Sequence, residues 1–220
     1  MDTINCLRTR RSVRLFKEDP IPEEILNKII EAAEYAPSSK NTKPWEYFIL
    51  RGKEKAKICD IVVEEYPKRG KPFRKREDIQ PKAQALDTKS IEKFRDATVM
   101  TNVGSILFIR KAPVLVLVFN KAPYTAGEEN VINEIDKEAL LAHTVEIESC
   151  SNFVLSILLA AHDYGLGACW IADANFCRYK IKKYLGTKND LVAGVVLGYS
   201  KQSIPPKKIE IEKISYWTED

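Results

Sequence analysis

The spacing of hydrophobic and polar positions predicts helices and strands that follow one another along the whole chain without a repeat. Residues 19–37 carry apolar side chains at helical spacing, Pro22 suits the first turn of a helix, and Pro37 ends the segment. We therefore predict a helix there. Its predicted apolar stripe consists of Ile25, Ile29, Ala32 and Ala36.

Four segments rich in β-branched and aromatic residues predict strands. The clearest is 112–119 (APVLVLVF), whose continuous apolar run is typical of a central strand that is covered by helices on both faces. Further helices are expected between the strands. The predicted strands are 45–50, 112–119, 168–172 and 191–199, and the further helices are 53–66, 89–107, 138–165 and 175–185. This order predicts an α/β (α+β) fold in which a sheet lies between layers of helices.

Composition favours one folded domain over residues 1–220. The chain is 45% hydrophobic and 30% charged, and its net charge of +4 is too small to indicate a nucleic-acid-binding protein. Neither an N-terminal apolar stretch behind a basic start nor a run of 18 apolar residues is present. We therefore expect no signal peptide and no membrane span, and a cytoplasmic location.

Cysteine and histidine provide little material for metal or nucleophilic chemistry. The five cysteines show no C-x-x-C spacing, so we expect them to be reduced and mostly buried. The two histidines, His143 and His162, fall in the same predicted helix, and structural roles are favoured for both. No metal site is predicted.

A cluster of arginines lies near the start of the chain. Residues 8–16 read RTRRSVRLF, with Ser12 among Arg8, Arg10, Arg11 and Arg14. Guanidinium groups present paired planar donors that suit phosphate oxygens. Taken alone, this segment favours a solvated basic turn, since short basic runs are common and usually bind nothing specific.

A second polar segment lies between the first predicted helix and the first predicted strand. Residues 36–45 read APSSKNTKPW, which offers hydroxyl and amide groups and the flat face of Trp45. Such a segment can be an ordinary turn. Together with the arginine cluster, it would suit a ligand that carries both a phosphate and a heteroaromatic ring.

A third polar segment, 67–82, is strongly basic and contains several prolines. Residues 67–76 hold six basic side chains but only one aromatic residue, Phe73. Because base stacking needs aromatic residues, nucleic acid is not an expected partner. We interpret 67–82 as a surface excursion of the single domain, and attraction of a nicotinamide phosphate as an alternative role for it.

Four motifs in the chain resemble those of the FMN-dependent nitroreductase family. They are RRSVRLF, APSSKNTKPW, YGLGACWI and GYSKQSIPPKK, in the family's order between residues 10 and 208. The resemblance implies a nitroreductase-like three-layer sandwich with a mixed, mostly antiparallel sheet. It also implies a homodimer with an exchanged C-terminal tail, and the apolar alternation within 205–220 suggests that this tail packs on the partner subunit.

The same resemblance implies a role for each end of the cofactor site. Arg10, Arg11 and Ser12 match the segment that meets the FMN phosphate and ribityl chain, and Arg14 matches a position near N1 and O2 of the ring. A cation there would stabilise the negative charge that reduction places on the ring. Lys207 and Lys208 match a late basic pair that returns to the phosphate.

The remaining implied contacts lie around the flavin ring. Trp170, Ile171 and Ala172 match the backbone that faces the ring, with the amide of Ala172 directed toward N5. The neighbouring subunit would contribute Pro37, Ser38, Ser39 and Asn41. No flavin contact is assigned to Asn152, which we interpret as a polar helix residue at a subunit interface.

The implied activity is transfer of hydride from NADH or NADPH through bound FMN to a small flat acceptor, by a ping-pong mechanism. Candidate acceptors are nitroaromatics, quinones, flavins and activated alkenes. No catalytic side chain is predicted, because the cofactor supplies the electron transfer. Alternatives are a flavin-dependent dehalogenase, a flavin-cleaving relative of the same fold and a non-enzymatic flavin-binding protein.

Overall fold

The structure is a computed structural model that describes residues 2–65, 109–121 and 137–209. The predicted 89–107 helix, the basic 67–82 segment and the tail beyond residue 209 lie outside the described residues. The α-helices are α1 (Thr3–Thr9), α2 (Glu23–Ala33), α3 (Gly52–Glu65), α4 (Lys137–Asp163) and α5 (Arg178–Leu185), and the strands are β1 (Trp45–Leu50), β2 (Val114–Asn120), β3 (Gly167–Ile171) and β4 (Asp190–Gly198).

The four strands form one antiparallel sheet in the order β1-β2-β4-β3. In the register, Leu117 of β2 lies opposite Phe48 on one side and Gly194 on the other. Every residue of β2 is buried, as predicted for a central strand. The sheet is therefore built around the most apolar segment of the chain.

Side chains alternate between the two faces of the sheet and create two cores. On one face, Leu115 and Leu117 pack with residues of α3 and α5. On the other, Val116 and Val118 pack with residues of α2 and α4. The predicted three-layer arrangement is confirmed.

The segment that follows α1 runs beside the edge strand β3. An isolated parallel bridge joins Ser12 to Ala168, and the Val13 amide donates to the Ala168 carbonyl at 2.9 Å. An antiparallel bridge joins Phe16 to Ser200, just beyond β4. All pairs among the described strands are thus antiparallel, as expected for most of the sheet, and parallel pairing is limited to the isolated bridge between Ser12 and Ala168.

Two sequence-based predictions need correction. In α2 the buried positions are Leu26, Ile29, Ile30 and Ala33, whereas Ala32 is exposed. The buried stripe is thus centred on Leu26 and Ile30, because these positions and not Ala32 lie on the side of the helix that faces the core. The segment predicted as one helix at 175–185 is divided into a 3₁₀ turn at Asp173–Cys177 and helix α5.

One stretch of the described helices, Ala142–Asp163 in α4, is long and apolar enough to cross a membrane when only length and composition are considered. Core helices have the same properties. Within α4, Cys150, Phe153, Val154 and Ile157 are buried in the core that α4 shares with α2 and the sheet. We therefore interpret α4 as a core helix.

Candidate functional site

The arginine segment, residues 8–16, is hydrogen-bonded to residues 201 and 202, which follow β4. The side-chain oxygen of Gln202 accepts hydrogen bonds from the amides of Arg14 (2.9 Å) and Leu15 (3.0 Å). The Lys201 amide donates to the Leu15 carbonyl at 3.0 Å. Two segments nearly 190 residues apart in the chain therefore form one wall of a site.

A cleft of about 320 Å³ opens beside this wall. Arg10 and Arg11 lie in its lining, and its described lining residues include no carboxylate. The lining consists of residues 9–11, Val13, Leu158, His162, residues 165–168, Ser200, Gln202 and Ile204. A cleft with two guanidinium groups and several polar groups suits an anion such as phosphate.

The late lysines lie near the same cleft. The Arg11 guanidinium donates a hydrogen bond to the Pro205 carbonyl. Lys207 and Lys208 are exposed and lie two and three residues after Pro205, and three residues span at most about 10 Å of extended chain. Arg10, Arg11, Ser12, Lys207 and Lys208 are thus brought to one region of the molecule.

His162, near the end of α4, borders the cleft. Thr9 donates its hydroxyl proton to the Asn5 carbonyl at 2.7 Å, and its oxygen lies 2.8 Å from His162 Nε2. Burial lowers the pKa of His162, and the positive charge of Arg10 lowers it further, while Asp163 opposes both effects. The positive charge of Arg10 that lowers the pKa of His162 would also attract an anion to the cleft.

Cys169 of strand β3 lies within the electrostatic influence of Arg14 and Arg10. Burial raises the pKa of the Cys169 thiol, whereas Arg14, a hydrogen bond with Ser12 and Arg10 act in the opposite direction. The next residue, Trp170, is 38% exposed, Ile171 is buried, and Ala172 is exposed just after the strand.

The 37–43 loop has an unusual backbone. Three non-glycine residues have positive φ: Lys40 (50°), Asn41 (56°) and Lys43 (44°). Such conformations cost on the order of 1–3 kcal/mol each, least for asparagine, and they concentrate at functional sites. The loop is closed internally, because the Lys43 amide donates to Ser38 Oγ at 3.0 Å.

Two side chains of helix α4 form hydrogen bonds with the backbone of this loop. Asn152 Nδ2 donates to the Pro37 carbonyl at 3.2 Å, and the Ser39 amide donates to Ser149 Oγ at 3.2 Å. Asn152 is exposed and Ser149 is 4% exposed. Asn152 thus supports the loop, a role that the sequence did not predict.

Trp45 does not have the role that the sequence suggested. It is 3% exposed, its ring stacks on Phe153 with centroids 4.9 Å apart, and its Nε1 donates to Glu34 Oε1 at 3.2 Å. Both faces of the indole are therefore covered by the core, and Trp45 offers no flat surface to a ligand.

Within one chain, none of residues 37–43 lines the arginine cleft. The loop contacts α4 at Ser149 and Asn152, whereas the cleft contacts it at Leu158 and His162, so at 1.5 Å per residue these two sets of contacts lie roughly 9–20 Å apart along the helix. The structure brings the predicted phosphate residues together but does not bring Pro37, Ser38, Ser39 and Asn41 to them.

Several residues of the site were missed by sequence reasoning. Gln202 lies inside the GYSKQSIPPKK motif, so its position was available, but its contacts with Arg14 and Leu15 cross most of the chain. Ser149, Asn152 and His162 carried no local signal. Among the described residues, no group of three His, Cys, Asp or Glu side chains is arranged to hold a metal ion.

Comparison with known proteins gives a consistent result. The model of the Nitroreductase family matches residues 7–199. A nitrobenzene nitroreductase from Ectopseudomonas oleovorans is 27% identical over 217 residues, covering 96% of this chain and 92% of that protein.

Two solved structures share the fold. The FMN-dependent nitroreductase NfnB from Mycobacterium smegmatis, in complex with NADPH, aligns with a TM-score of 0.68 at 19% identity, covering 98% of this chain and 97% of that chain. A BluB-like flavoprotein from Clostridium difficile 630 aligns with a TM-score of 0.70 at 25% identity, covering both chains completely.

Proposed function

The chain belongs to the nitroreductase family, and from this we propose that it is an FMN-dependent oxidoreductase that takes hydride from NADH or NADPH and reduces a small flat acceptor. Nitroaromatics, quinones, flavins and activated alkenes are the candidate acceptors. The nitrobenzene nitroreductase to which the chain is similar supports a nitroaromatic.

The arginine cleft is the observation that carries this proposal. Its donor set fits a phosphate, because Arg10 and Arg11 line it without a described carboxylate to compete for them. In the proposed complex, these two side chains bind the FMN phosphate together with Ser12. Lys207 and Lys208 complete the phosphate end from the segment that follows Pro205.

Residues of β3 and the arginine segment serve the ring end of the proposed site. Bound FMN supplies the hydride chemistry. Arg14 holds a positive charge beside the ring, which favours the reduced, more negative cofactor. The backbone of Trp170, Ile171 and Ala172 would face the ring, and the Ala172 amide would serve as a donor to it.

We place the active site between two subunits. The 37–43 loop lies beside an earlier part of α4, at Ser149 and Asn152, than the cleft of its own chain, which reaches Leu158 and His162, and its residues do not line that cleft. We therefore assign the loop to the cleft of a partner. In this arrangement Pro37, Ser38, Ser39 and Asn41 cover the flavin ring of the partner subunit. Each of the two sites then uses both chains.

The open edge of the sheet supports an exchanged tail. Among the described residues, β1 pairs only with β2 and forms the edge of the sheet, a position that suits pairing with a further strand. The tail sequence IEIEKISYW at 209–217 alternates apolar and polar residues as a strand does. We propose that this tail packs on the partner subunit.

Steady-state kinetics test the proposed activity. If nicotinamide and acceptor use the same face of the ring in turn, double-reciprocal plots at several acceptor concentrations give parallel lines. Intersecting lines would mean that both substrates bind together, which would contradict the ping-pong mechanism. A protein that binds FMN but shows no turnover with any of the four acceptor classes would not be the proposed enzyme.

Two further reactions and one non-enzymatic role are alternatives on the same fold. They are flavin-dependent dehalogenation, flavin cleavage under oxygen and simple flavin carriage. The likeness to a structure described as a BluB-like flavoprotein supports flavin binding on this fold and favours none of the three. Product analysis with a halogenated phenol, and with oxygen as the only acceptor, distinguishes these reactions from acceptor reduction.

A further inference from the structure

Two polar side chains on consecutive turns of α4 reach the 37–43 loop. Ser149 and Asn152 are three residues apart, so they lie on the same face of the helix. Ser149 accepts from the Ser39 amide and Asn152 donates to the Pro37 carbonyl. Both contacts fix the backbone at the entrance to the loop.

The positive-φ residues follow directly after these two contacts. Lys40, Asn41 and Lys43 occupy a conformation that side chains other than glycine rarely adopt. A strained backbone persists only where surrounding contacts hold it. The two bonds from α4 and the internal bond from the Lys43 amide to Ser38 Oγ supply such contacts.

We propose that Ser149 and Asn152 are positioning residues that hold the 37–43 loop in its left-handed conformation for the flavin ring of the partner subunit. This inference rests on the proposed function. Without the Asn152 amide or the Ser149 hydroxyl, the loop relaxes toward ordinary backbone angles. Ser38, Ser39 and Asn41 then no longer present their polar groups to the ring.

The chain provides a matched control for the serine. Ser149 Oγ donates to the Val145 carbonyl at 2.9 Å, and Ser151 Oγ donates to the Ile147 carbonyl at 2.8 Å, so both serines make the same bond within the helix. Of the two serines, Ser149 also accepts a hydrogen bond from the loop, at the Ser39 amide. Ser149→Ala removes the helix bond and the loop bond, whereas Ser151→Ala removes a helix bond alone.

The first experiment measures dissociation constants of FMN and riboflavin for apoprotein variants. Asn152→Ala and Ser149→Ala should each weaken binding about three- to tenfold, the value of one hydrogen bond. The factor should be the same for both ligands, because the loop contacts the ring and not the phosphate. Ser151→Ala should stay within about twofold of wild type, and Ser149→Thr, which keeps the hydroxyl, should restore most of the affinity.

Circular dichroism of each apo variant shows whether it is folded. Asn152 is exposed, so its replacement leaves the core intact and provides a test even if Ser149→Ala does not fold. Flavin affinities of Asn152→Ala and Ser149→Ala equal to that of Ser151→Ala would overturn the proposal. A loss confined to FMN, with riboflavin unchanged, would overturn it as well.

A second experiment tests the strain itself. Lys40 has a φ of 50°, which glycine adopts without a steric penalty. In the Asn152→Ala background, Lys40→Gly should recover part of the lost flavin affinity. If Lys40→Gly leaves the loss of flavin affinity in Asn152→Ala unchanged, the view that Ser149 and Asn152 hold a strained backbone is contradicted.

Wild-type binding separates this inference from the proposed function. If wild-type apoprotein takes up neither FMN nor riboflavin, the proposed function fails and the inference fails with it. If wild type binds both ligands, and Asn152→Ala and Ser149→Ala bind them as tightly as Ser151→Ala does, only the inference fails.

Discussion

Arg10 lies where its charge acts on two neighbours at once. It lowers the pKa of His162 and opposes the rise in the pKa of Cys169. Because a charge-assisted hydrogen bond contributes roughly 1.5–3 kcal/mol, Arg10→Ala should weaken FMN binding about tenfold or more. Riboflavin, which lacks the phosphate, should bind to the variant nearly as it binds to wild type.

Arg8→Ala is the matched control for this prediction, because Arg8 is an exposed arginine in the last turn of α1 and does not line the cleft. It should leave both affinities unchanged. Equal losses of FMN and riboflavin affinity in Arg10→Ala would show that the phosphate lies elsewhere.

His162 should make stability depend on pH. Burial and Arg10 lower its pKa in the folded protein. In the unfolded chain the histidine titrates near its ordinary pKa of about 6.5. Between that pH and the lower pKa of the folded state, the unfolded chain binds more protons than the folded protein does. This contribution to stability is present above that range and is lost as the pH falls. His162→Gln should therefore lose less thermal stability than wild type between about pH 7.5 and about pH 5.5. An identical loss in both proteins would contradict the assigned environment.

Single residues were the hardest part of the site to predict. The residue types at Arg10, Arg11 and Ser12 indicated an anion, because guanidinium groups carry that chemistry wherever they lie. Gln202, Ser149 and Asn152 act through contacts with distant parts of the chain, and nothing in their local sequence indicates those contacts. Trp45 was interpreted as a ligand surface because local sequence does not reveal that Phe153 stacks on it.

At the scale of elements, the packing of the arginine segment on β3 depends on Gly167. A Cβ at this position would lie 2.8 Å from three atoms of Val13, closer than side-chain atoms approach. Gly167→Ala should displace Val13, destabilise the protein by about 1–3 kcal/mol and weaken FMN binding. Chemical denaturation and flavin titration measure the two effects.

Gly194→Ala provides the control for this element. Gly194 lies in β4, opposite Ile171 of β3, and a Cβ there would meet nothing closer than 3.4 Å. It should be tolerated better than Gly167→Ala. Equal effects of the two substitutions on FMN binding would show that the contact between Val13 and Gly167 does not position the arginines.

The elements themselves were largely predictable. Runs such as WEYFIL and APVLVLVF contain more apolar and β-branched or aromatic residues than a loop does. The strands predicted there were confirmed as β1 and β2. The stripe of α2 was wrong at Ala32, because apolar spacing alone does not distinguish Ala32 from Ala33 at the edge of a helical face. The left-handed backbone of the 37–43 loop was not predictable either, since Lys40 and Lys43 rarely adopt positive φ.

At the scale of the whole molecule, we expect the tail to be required for assembly. Truncation after Lys208 removes the apolar IEIEKISYW segment but keeps both late lysines. If that segment adds to the open edge of β1 in a partner subunit, the truncated chain should become a monomer or aggregate. Light scattering after size-exclusion chromatography measures this, and a fully active truncated dimer would contradict the exchanged tail.

An anaerobic absorption spectrum of the purified full-length protein tests the proposed activity most directly. We expect a yellow protein whose flavin is released by heat and identified as FMN. Addition of NADH or NADPH should bleach the visible band within minutes, and a quinone or nitroaromatic added afterwards should restore it. A colourless protein that takes up no added FMN, or a bound flavin that stays oxidised with both nucleotides, would contradict the assignment of this chain as an FMN-dependent NAD(P)H oxidoreductase.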